Sequence, residues 1–333
     1  MQNKYLLKDA SNVYILAIIV PIIVSFILSF VLGFIATFFN IKTDALLSNI
    51  WVYAILLLFS QGSFLAVVLI YNKIKKIKTT QATALNNRIN FLQIVLVLIV
   101  SVSSLFLFLP LVNMFDALIR LVGYSNSGSL PFAINNWWSL IVGLLVLALL
   151  PAICEEMVFR GVLYNGFKNS LGTKKAIIFS ALCFCIMHMS LQQTVYPLIL
   201  GIVLALIVYY TGSVKASILA HFFNNSIVVL SNFIASFSEQ TQETATFVFN
   251  VQNILSAIIC AVIGVAIVIL CCELLKRINN NKQQHKITED AEVQQTEEIS
   301  SDETVNEKAD MKVFYTYLAI SIALWIFQNI LYF

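Results

Sequence analysis

Long runs of apolar residues, separated by short polar segments, occupy most of the chain. A transmembrane helix needs about 20 mostly apolar residues, and most of these runs reach that length. The first run is uncharged and longer than a signal-peptide core, and no small-residue cleavage site follows it, so we expect it to remain a spanning helix. The pattern predicts an all-α, polytopic membrane helical bundle. Its nine predicted spans are 13–39, 45–71, 90–112, 138–167, 176–190, 193–210, 216–234, 246–273 and 312–333.

The composition excludes a water-soluble globular protein. Hydrophobic residues make up 59% of the chain and charged residues 11%, with a mean hydropathy of +0.88, whereas about a quarter of the residues in a typical soluble domain are charged. The basic residues are scattered and form no stripe interleaved with aromatics, so no nucleic-acid partner is expected. All six cysteines lie in apolar runs without a CxxC pair, which favours packed thiols over disulfides.

The distribution of Lys and Arg predicts the orientation. With a cytoplasmic N-terminus, 17 of these residues fall on the cytoplasmic side, and only Lys42 and Arg120 fall outside. The positive-inside rule therefore predicts that the N-terminus is cytoplasmic. The segment 276–311 contains nine acidic and five basic residues and is otherwise rich in Asn and Gln. We expect this segment to be a disordered polar cytoplasmic linker.

Away from the span ends, the ionisable side chains within the spans are concentrated in the middle of the chain, and two amides accompany them. Charged groups inside a membrane span cost about 2.5–3.5 kcal/mol each on insertion scales, and they are functional by default. Two of the three histidines belong to this set, whereas His285 lies in the polar linker. The set comprises Glu155, Glu156 and Arg160 in the fourth span, His188 in the fifth, and His221, Asn224 and Asn225 in the seventh.

Helical spacing places some of these residues on the same face of a helix. Glu156 and Arg160 are four residues apart and can pair, which leaves Glu155, about 100° round the helix, free for another partner. His221 and Asn225 have the same spacing and project together. Counted from the nearest predicted cytoplasmic lysine, Glu155 and His188 each lie 13 residues into a span and Asn225 lies 10. These counts correspond to depths of roughly 20 and 15 Å, provided that the fourth helix continues through residue 167.

Such a cluster is suited to amide hydrolysis without a covalent intermediate. A carboxylate and an imidazole that converge, here Glu155 and His188, can activate water as a general base. A second pair of donors, His221 and Asn225, can stabilise the oxyanion that forms when this water attacks a carbonyl.

Other interpretations of the same residues remain open. Glu155, His188 and His221 can also be three ligands of a catalytic zinc, although no HExxH motif favours that. The Glu156–Arg160 pair can be purely structural. The protein can also be a transporter, because intramembrane acids mark ion pathways, but no repeat pair supports this.

Three short motifs occur in order on separate spans. EExxxR covers 155–160, FxxxH covers 184–188 and HxxxN covers 221–225. Together with the surrounding residues 135–235, they resemble the CPBP family, which comprises CAAX prenyl proteases and bacteriocin-processing enzymes and is also called Abi. Each motif is weak alone, but the ordered trio is specific.

The resemblance implies an intramembrane glutamic endopeptidase that acts on a membrane-associated peptide or protein. In the family, the first Glu of EExxxR and the His of FxxxH activate the water, and the HxxxN pair forms the oxyanion site. The implied catalytic residues are Glu155, His188, His221 and Asn225, with Glu156 and Arg160 in supporting roles. No cofactor is implied, so zinc is retained only as the alternative above. The alternative function is that of a non-catalytic membrane scaffold or sensor, or of a bacteriocin-immunity protein, that binds a membrane partner.

The resemblance also implies a division of the chain. The family core has about eight transmembrane helices, so the linker and the last span are a C-terminal addition. The abundance of Asn, Ile, Lys and Phe is typical of a low-GC bacterium, so we expect a multi-pass protein of the bacterial cell membrane. The predicted units are the N-terminal helices 1–134, the catalytic core 135–235, an eighth helix in 236–275, the linker 276–311 and the last helix 312–333.

Overall fold

The computed structural model describes residues 4–124, 132–237, 250–290, 307–330 and 332, and these residues form helices and short connections without a β-strand. Two one-turn helices, Thr43–Leu47 and Thr79–Ala82, join longer ones. The all-α prediction is therefore confirmed. The long helices are α1 (Leu7–Phe38), α2 (Ile50–Lys75), α3 (Phe91–Leu121), α4 (Trp137–Leu171), α5 (Thr173–Met187), α6 (Val195–Thr211), α7 (Val214–Ala235), α8 (Val251–Asp290) and α9 (Glu307–Ile330).

Seven of these helices are long and apolar enough to cross a membrane within the described ranges. The exceptions are α5 and α6, which have 15 and 17 residues. The protein is thus a multi-pass membrane protein. The two shorter helices correspond to the closely spaced fifth and sixth predicted spans, so the nine apolar runs each give a helix, but only seven have full spanning length.

The basic residues gather where the helix ends meet at one end of the bundle, here called the basic end. Short connections make successive helices antiparallel, as between α4 and α5, where only Gly172 intervenes. The backbone NH of Leu7 donates to Ser170 Oγ at 2.9 Å, which joins the start of α1 to the end of α4. The basic end is defined by Lys8, Lys73, Lys168, Lys175 and Lys215.

Helix α4 is continuous from Trp137 to Leu171, as the depth argument requires. It widens into π-helical turns at Leu144–Leu149 and Met157–Tyr164. Wider turns shift the carbonyl partners, and in a membrane these groups need a partner within the protein. Asn165 Nδ2 provides one, because it donates to the Arg160 carbonyl at 3.1 Å and to the Gly161 carbonyl at 2.8 Å. Asn165 thereby supplies a partner for two carbonyls of the π-helical turn that follows Glu156.

Two glycines allow close helix packing around the bundle. A Cβ on Gly201 of α6 would lie 3.0 Å from the Ala181 Cα of α5, and a Cβ on Gly264 of α8 would lie 2.8 Å from the Leu107 nitrogen of α3. Neither helix can approach its neighbour this closely with a side chain at that position. The position of α6 matters for the site, because it brings the Gly201 carbonyl towards α4.

Helix α8 extends beyond the predicted span 246–273 and reaches Asp290, within the segment predicted as a linker. Of the rest of that prediction, residues 291–306 lie outside the described residues, and residues 307–311 form the start of α9. The last helix packs against α1 and α5, so the C-terminal addition belongs to the bundle.

Candidate active site

A buried ion pair forms the base of the polar cluster. Arg160 Nη1 lies 2.7 Å from Glu156 Oε1, and both side chains are 0% exposed. Arg160 Nη2 also donates to the Gly201 carbonyl at 2.9 Å, and its guanidinium lies 4.5 Å from the centroid of the Phe184 ring. The pair expected from the spacing is therefore formed, and Arg160 connects α4 to both α5 and α6.

His221 lies between the two glutamates. Its Nδ1 is 3.2 Å from Glu156 Oε1, and its Nε2 is 3.9 Å from Glu155 Oε2. A carboxylate only accepts hydrogen bonds, so the Glu156 contact requires a proton on Nδ1. The ring of Phe184 packs perpendicular to the imidazole at 5.8 Å. The first and third motifs are thus joined directly, which the sequence did not predict.

Glu155 makes its shortest polar contact with a residue that the sequence analysis missed. Gln61 Nε2 on α2 donates to Glu155 Oε1 at 3.0 Å, and Glu155 is 5% exposed. Gln61 lies outside the motif-bearing segment and carries no charge. The feature that could have drawn attention to Gln61 is its amide side chain in the middle of an apolar span. Such groups commonly hydrogen-bond to another helix.

His188 follows the last residue of α5 and is partly exposed. Its Nδ1 lies 2.8 Å from the carbonyl oxygen of Phe184. A carbonyl accepts, so Nδ1 donates, and in the neutral imidazole Nε2 is left with a free lone pair. The ring of Phe184 links His188 to the rest of the cluster, because it packs edge-on against His188 at 4.8 Å and against His221 at 5.8 Å. The hydrogen bond therefore prepares His188 to accept a proton at Nε2.

Asn225 lies one turn after His221 on α7 and is half-buried. The Tyr196 hydroxyl lies 3.5 Å from Asn225 Oδ1 and can donate to it weakly. Tyr196 is packed edge-on against Phe108 with ring centroids 4.7 Å apart. This contact engages the amide oxygen of Asn225, and the NH₂ group is the hydrogen-bond donor of the same side chain.

The six predicted site residues differ in how deeply they are buried. Glu156 and Arg160 are fully buried, Glu155 and His221 are nearly so, and His188 and Asn225 are partly accessible. No group of three or more His, Cys, Asp or Glu residues in the described ranges is arranged to hold a metal ion. The zinc alternative remains an untested prediction.

Fold and site together define a multi-pass helical membrane protein with a cluster of Glu, His and Asn inside the bundle. Residues 136–227 match the family model described as type II CAAX prenyl endopeptidase Rce1-like, so this segment is similar to the CAAX protease family. The matched residues include all three motifs. The family indicates a CAAX-type intramembrane protease. No curated protein and no solved structure matches the chain.

Proposed function

We propose that the protein is an intramembrane glutamic endopeptidase that hydrolyses a peptide bond of a membrane-associated peptide or protein. The observation that carries the proposal is the arrangement around Glu155. This buried carboxylate lies 3.9 Å from His221 and accepts from Gln61 at 3.0 Å, and the same cluster contains His188, whose Nδ1 is held by the Phe184 carbonyl. The proposal requires no cofactor.

In this mechanism, Glu155 and His188 activate the water. The water transfers a proton to the Glu155–His188 pair while its oxygen forms a bond to the carbonyl carbon of the substrate. The resulting tetrahedral intermediate then collapses, the C–N bond breaks, and the proton passes to the departing amine. The buried position of Glu155 excludes bulk water and strengthens its electrostatic interactions with the reacting atoms.

The oxyanion is stabilised from α7 in this mechanism. Asn225 donates through its NH₂ group, and His221 donates through Nε2 when that nitrogen also carries a proton. Glu156 accepts from Nδ1 of His221 and balances the charge of the imidazolium. Arg160 in turn fixes Glu156, so the supporting pair acts by holding His221.

The proposed setting is the bacterial cell membrane, with the N-terminus cytoplasmic and the basic end facing the cytoplasm. The Lys and Arg distribution supports the orientation, and the residue composition supports the bacterial origin. The lipid bilayer and a membrane-associated substrate are the proposed partners. Nothing in the chain supports a nucleic-acid partner.

The proposal is tested by mapping new peptide termini in membranes. Cells that lack the endogenous protein would be complemented with wild type or with the Glu155→Ala variant. Termini that occur only with wild type support proteolysis and reveal the substrate class. Equal termini, with the phenotype rescued by the variant, would instead favour a scaffold or immunity protein that binds a membrane partner.

Cleavage assays with the purified protein then test substrate preference and metal dependence separately. A farnesylated peptide with a CAAX terminus and the same peptide without the lipid would be compared in mixed micelles. Cleavage of the lipidated peptide alone indicates prenyl-directed activity, and equal cleavage indicates recognition of the peptide. Cleavage that survives a chelator supports the metal-free mechanism, whereas loss that is reversed by added zinc supports the zinc alternative.

Asn225→Ala is expected to lower kcat by about 10²–10³-fold, the effect of losing one oxyanion donor. Its folded yield should match wild type, because the contact with Tyr196 is long. The matched control is Asn224→Ala on the adjacent position, whose amide donates to the Ala220 carbonyl of its own helix at 3.1 Å. Loss of folded protein in Asn225→Ala would reassign this residue to helix–helix packing.

Gln61→Leu is expected to lower kcat about tenfold with little change in KM, because one hydrogen bond to a charged group is lost. Glu155 would keep its charge but lose the donor that fixes its carboxylate. The control is Ser63→Ala on the same helix, whose hydroxyl donates only to the Ser60 carbonyl, at 2.6 Å. Unchanged kinetics in Gln61→Leu would show that the contact has no role in positioning Glu155.

A further inference from the structure

The last helix holds the connection that follows His188. Asn329 of α9 is 3% exposed, and its Oδ1 accepts from the Leu191 backbone NH at 2.6 Å. Its Nδ2 donates to the Trp325 carbonyl at 2.7 Å and reaches the Met189 carbonyl at 3.4 Å. The Tyr124 hydroxyl donates to the same Oδ1 at 3.0 Å. The amide therefore joins the end of α9 to the connection between α5 and α6.

A second set of contacts joins α9 to α5 near the basic end. The ring of Phe314 is 0% exposed and lies 4.9 Å from Phe167 of α4 and 5.3 Å from Phe179 of α5. Helix α9 thus contacts α5, the helix that precedes His188, near its start as well as beyond its end. These contacts come from outside the family-matched residues 136–227.

The connection has a backbone that needs such support. Met189, directly after His188, has φ +51, in the left-handed region that is unfavourable for a residue other than glycine. A residue persists there when its surroundings determine its conformation. Asn329 contacts the connection at this strained position and just after it, through the carbonyl of Met189 and the NH of Leu191. The connection also contacts α3, because Gln192 Nε2 donates to Asp116 Oδ1 at 2.9 Å.

We propose that α9 is a positioning element of the proteolytic site and that Asn329 is its positioning residue. By holding the connection after α5, Asn329 keeps the imidazole of His188 in place against the ring of Phe184, within the cluster that contains Glu155. The inference rests on the proposed function, because it assigns a role in turnover to a helix outside the motif-bearing core. Asn329 touches neither the substrate nor the reacting atoms.

The test compares full-length Asn329→Leu with wild type. Its kcat is expected to fall about tenfold while KM changes less than twofold, because substrate contacts are kept and His188 is displaced. Hydrogen exchange gives a readout that does not depend on turnover. The Leu191 amide should exchange about tenfold faster in the variant, while amides within α6 stay unchanged. The matched control is Thr316→Val on α9, whose hydroxyl donates to the Lys312 carbonyl of its own helix at 2.9 Å.

Two further variants separate positioning from general destabilisation. Asn329→Asp keeps the acceptor for Leu191 and, when protonated, a donor towards Trp325, so it should restore the protection of the Leu191 amide and most of kcat. Tyr124→Phe removes the hydroxyl that donates to Oδ1 of Asn329, and it should lower kcat about two- to threefold. If Asn329→Leu fails to fold, Tyr124→Phe decides the question, and an unchanged kcat in that variant overturns the inference.

The outcomes distinguish this inference from the proposed function. An active wild type with unchanged kcat in Asn329→Leu overturns the positioning role and leaves the proposed function intact. Faster exchange of the Leu191 amide without a change in kcat also overturns the role, because loosening the connection would then have no effect on His188. A wild type that cleaves no substrate overturns the proposed function and this inference with it.

Discussion

Glu155→Gln is expected to lower kcat by about 10³-fold, within the range that general-base catalysis contributes. Glutamine has nearly the same shape, and its amide oxygen can still accept from Gln61, so the packing of α2 against α4 is retained. The amide cannot take a proton from water, and the nucleophile is therefore lost. The measurement is kcat on the substrate found by terminus mapping, alongside the thermal unfolding of the purified variant in the same detergent.

The matched control is Glu273→Gln on α8. Glu273 is 46% exposed and pairs with Lys276 at 3.6 Å, so removing its charge should leave both turnover and folding unchanged. A Glu155→Gln protein that folds and keeps its activity would contradict the proposed mechanism. Retention of a cellular phenotype by the same variant would favour the scaffold interpretation.

The membrane architecture was predictable because the bilayer imposes a strong constraint on sequence. Spanning helices need long apolar runs, and ionisable residues inside them stand out because insertion is costly. The same logic predicted the contact of Glu156 with Arg160, since i,i+4 spacing fixes the distance on one helix. Interactions within a helix follow from spacing alone.

Contacts between helices did not follow from spacing. The position of His221 between the two glutamates depends on how α7 packs against α4. The Arg160 contact with α6 depends on Gly201, which allows α6 to approach α5. Gln61 and Asn329 come from helices far away in sequence and are uncharged. A single amide in an apolar run does not indicate which helix it will meet.

The helix ends were also set by tertiary structure. The predicted fifth span, 176–190, included His188 in its helix, but α5 ends at Met187 and the backbone turns at Met189 with φ +51. Asn329 and Gln192 hold that turn through contacts with distant helices. Local residue preferences alone would not place a left-handed conformation at a methionine.

Arg160→Met is expected to destabilise the protein by about 3–5 kcal/mol, the usual effect of removing one partner of a buried ion pair. Methionine fills much of the same space but leaves the Glu156 carboxylate buried without its guanidinium. It also removes the hydrogen bond to the Gly201 carbonyl, so α4 loses its link to α6. Unfolding in detergent, followed by helicity against increasing denaturant, measures the change.

Arg120→Met provides a control with the same geometry in a different environment. Arg120 pairs with Asp116 at the same i,i+4 spacing and at 2.8 Å, but its side chain is 41% exposed. Solvent screens such a pair, and its loss should cost no more than about 1 kcal/mol. Adding Glu156→Gln to Arg160→Met should recover part of the lost stability, because the unpaired charge is then removed. Equal stability of Arg160→Met and Arg120→Met would show that the buried pair does not hold α4 in place, and the supporting role of Arg160 behind His221 would then have to be abandoned.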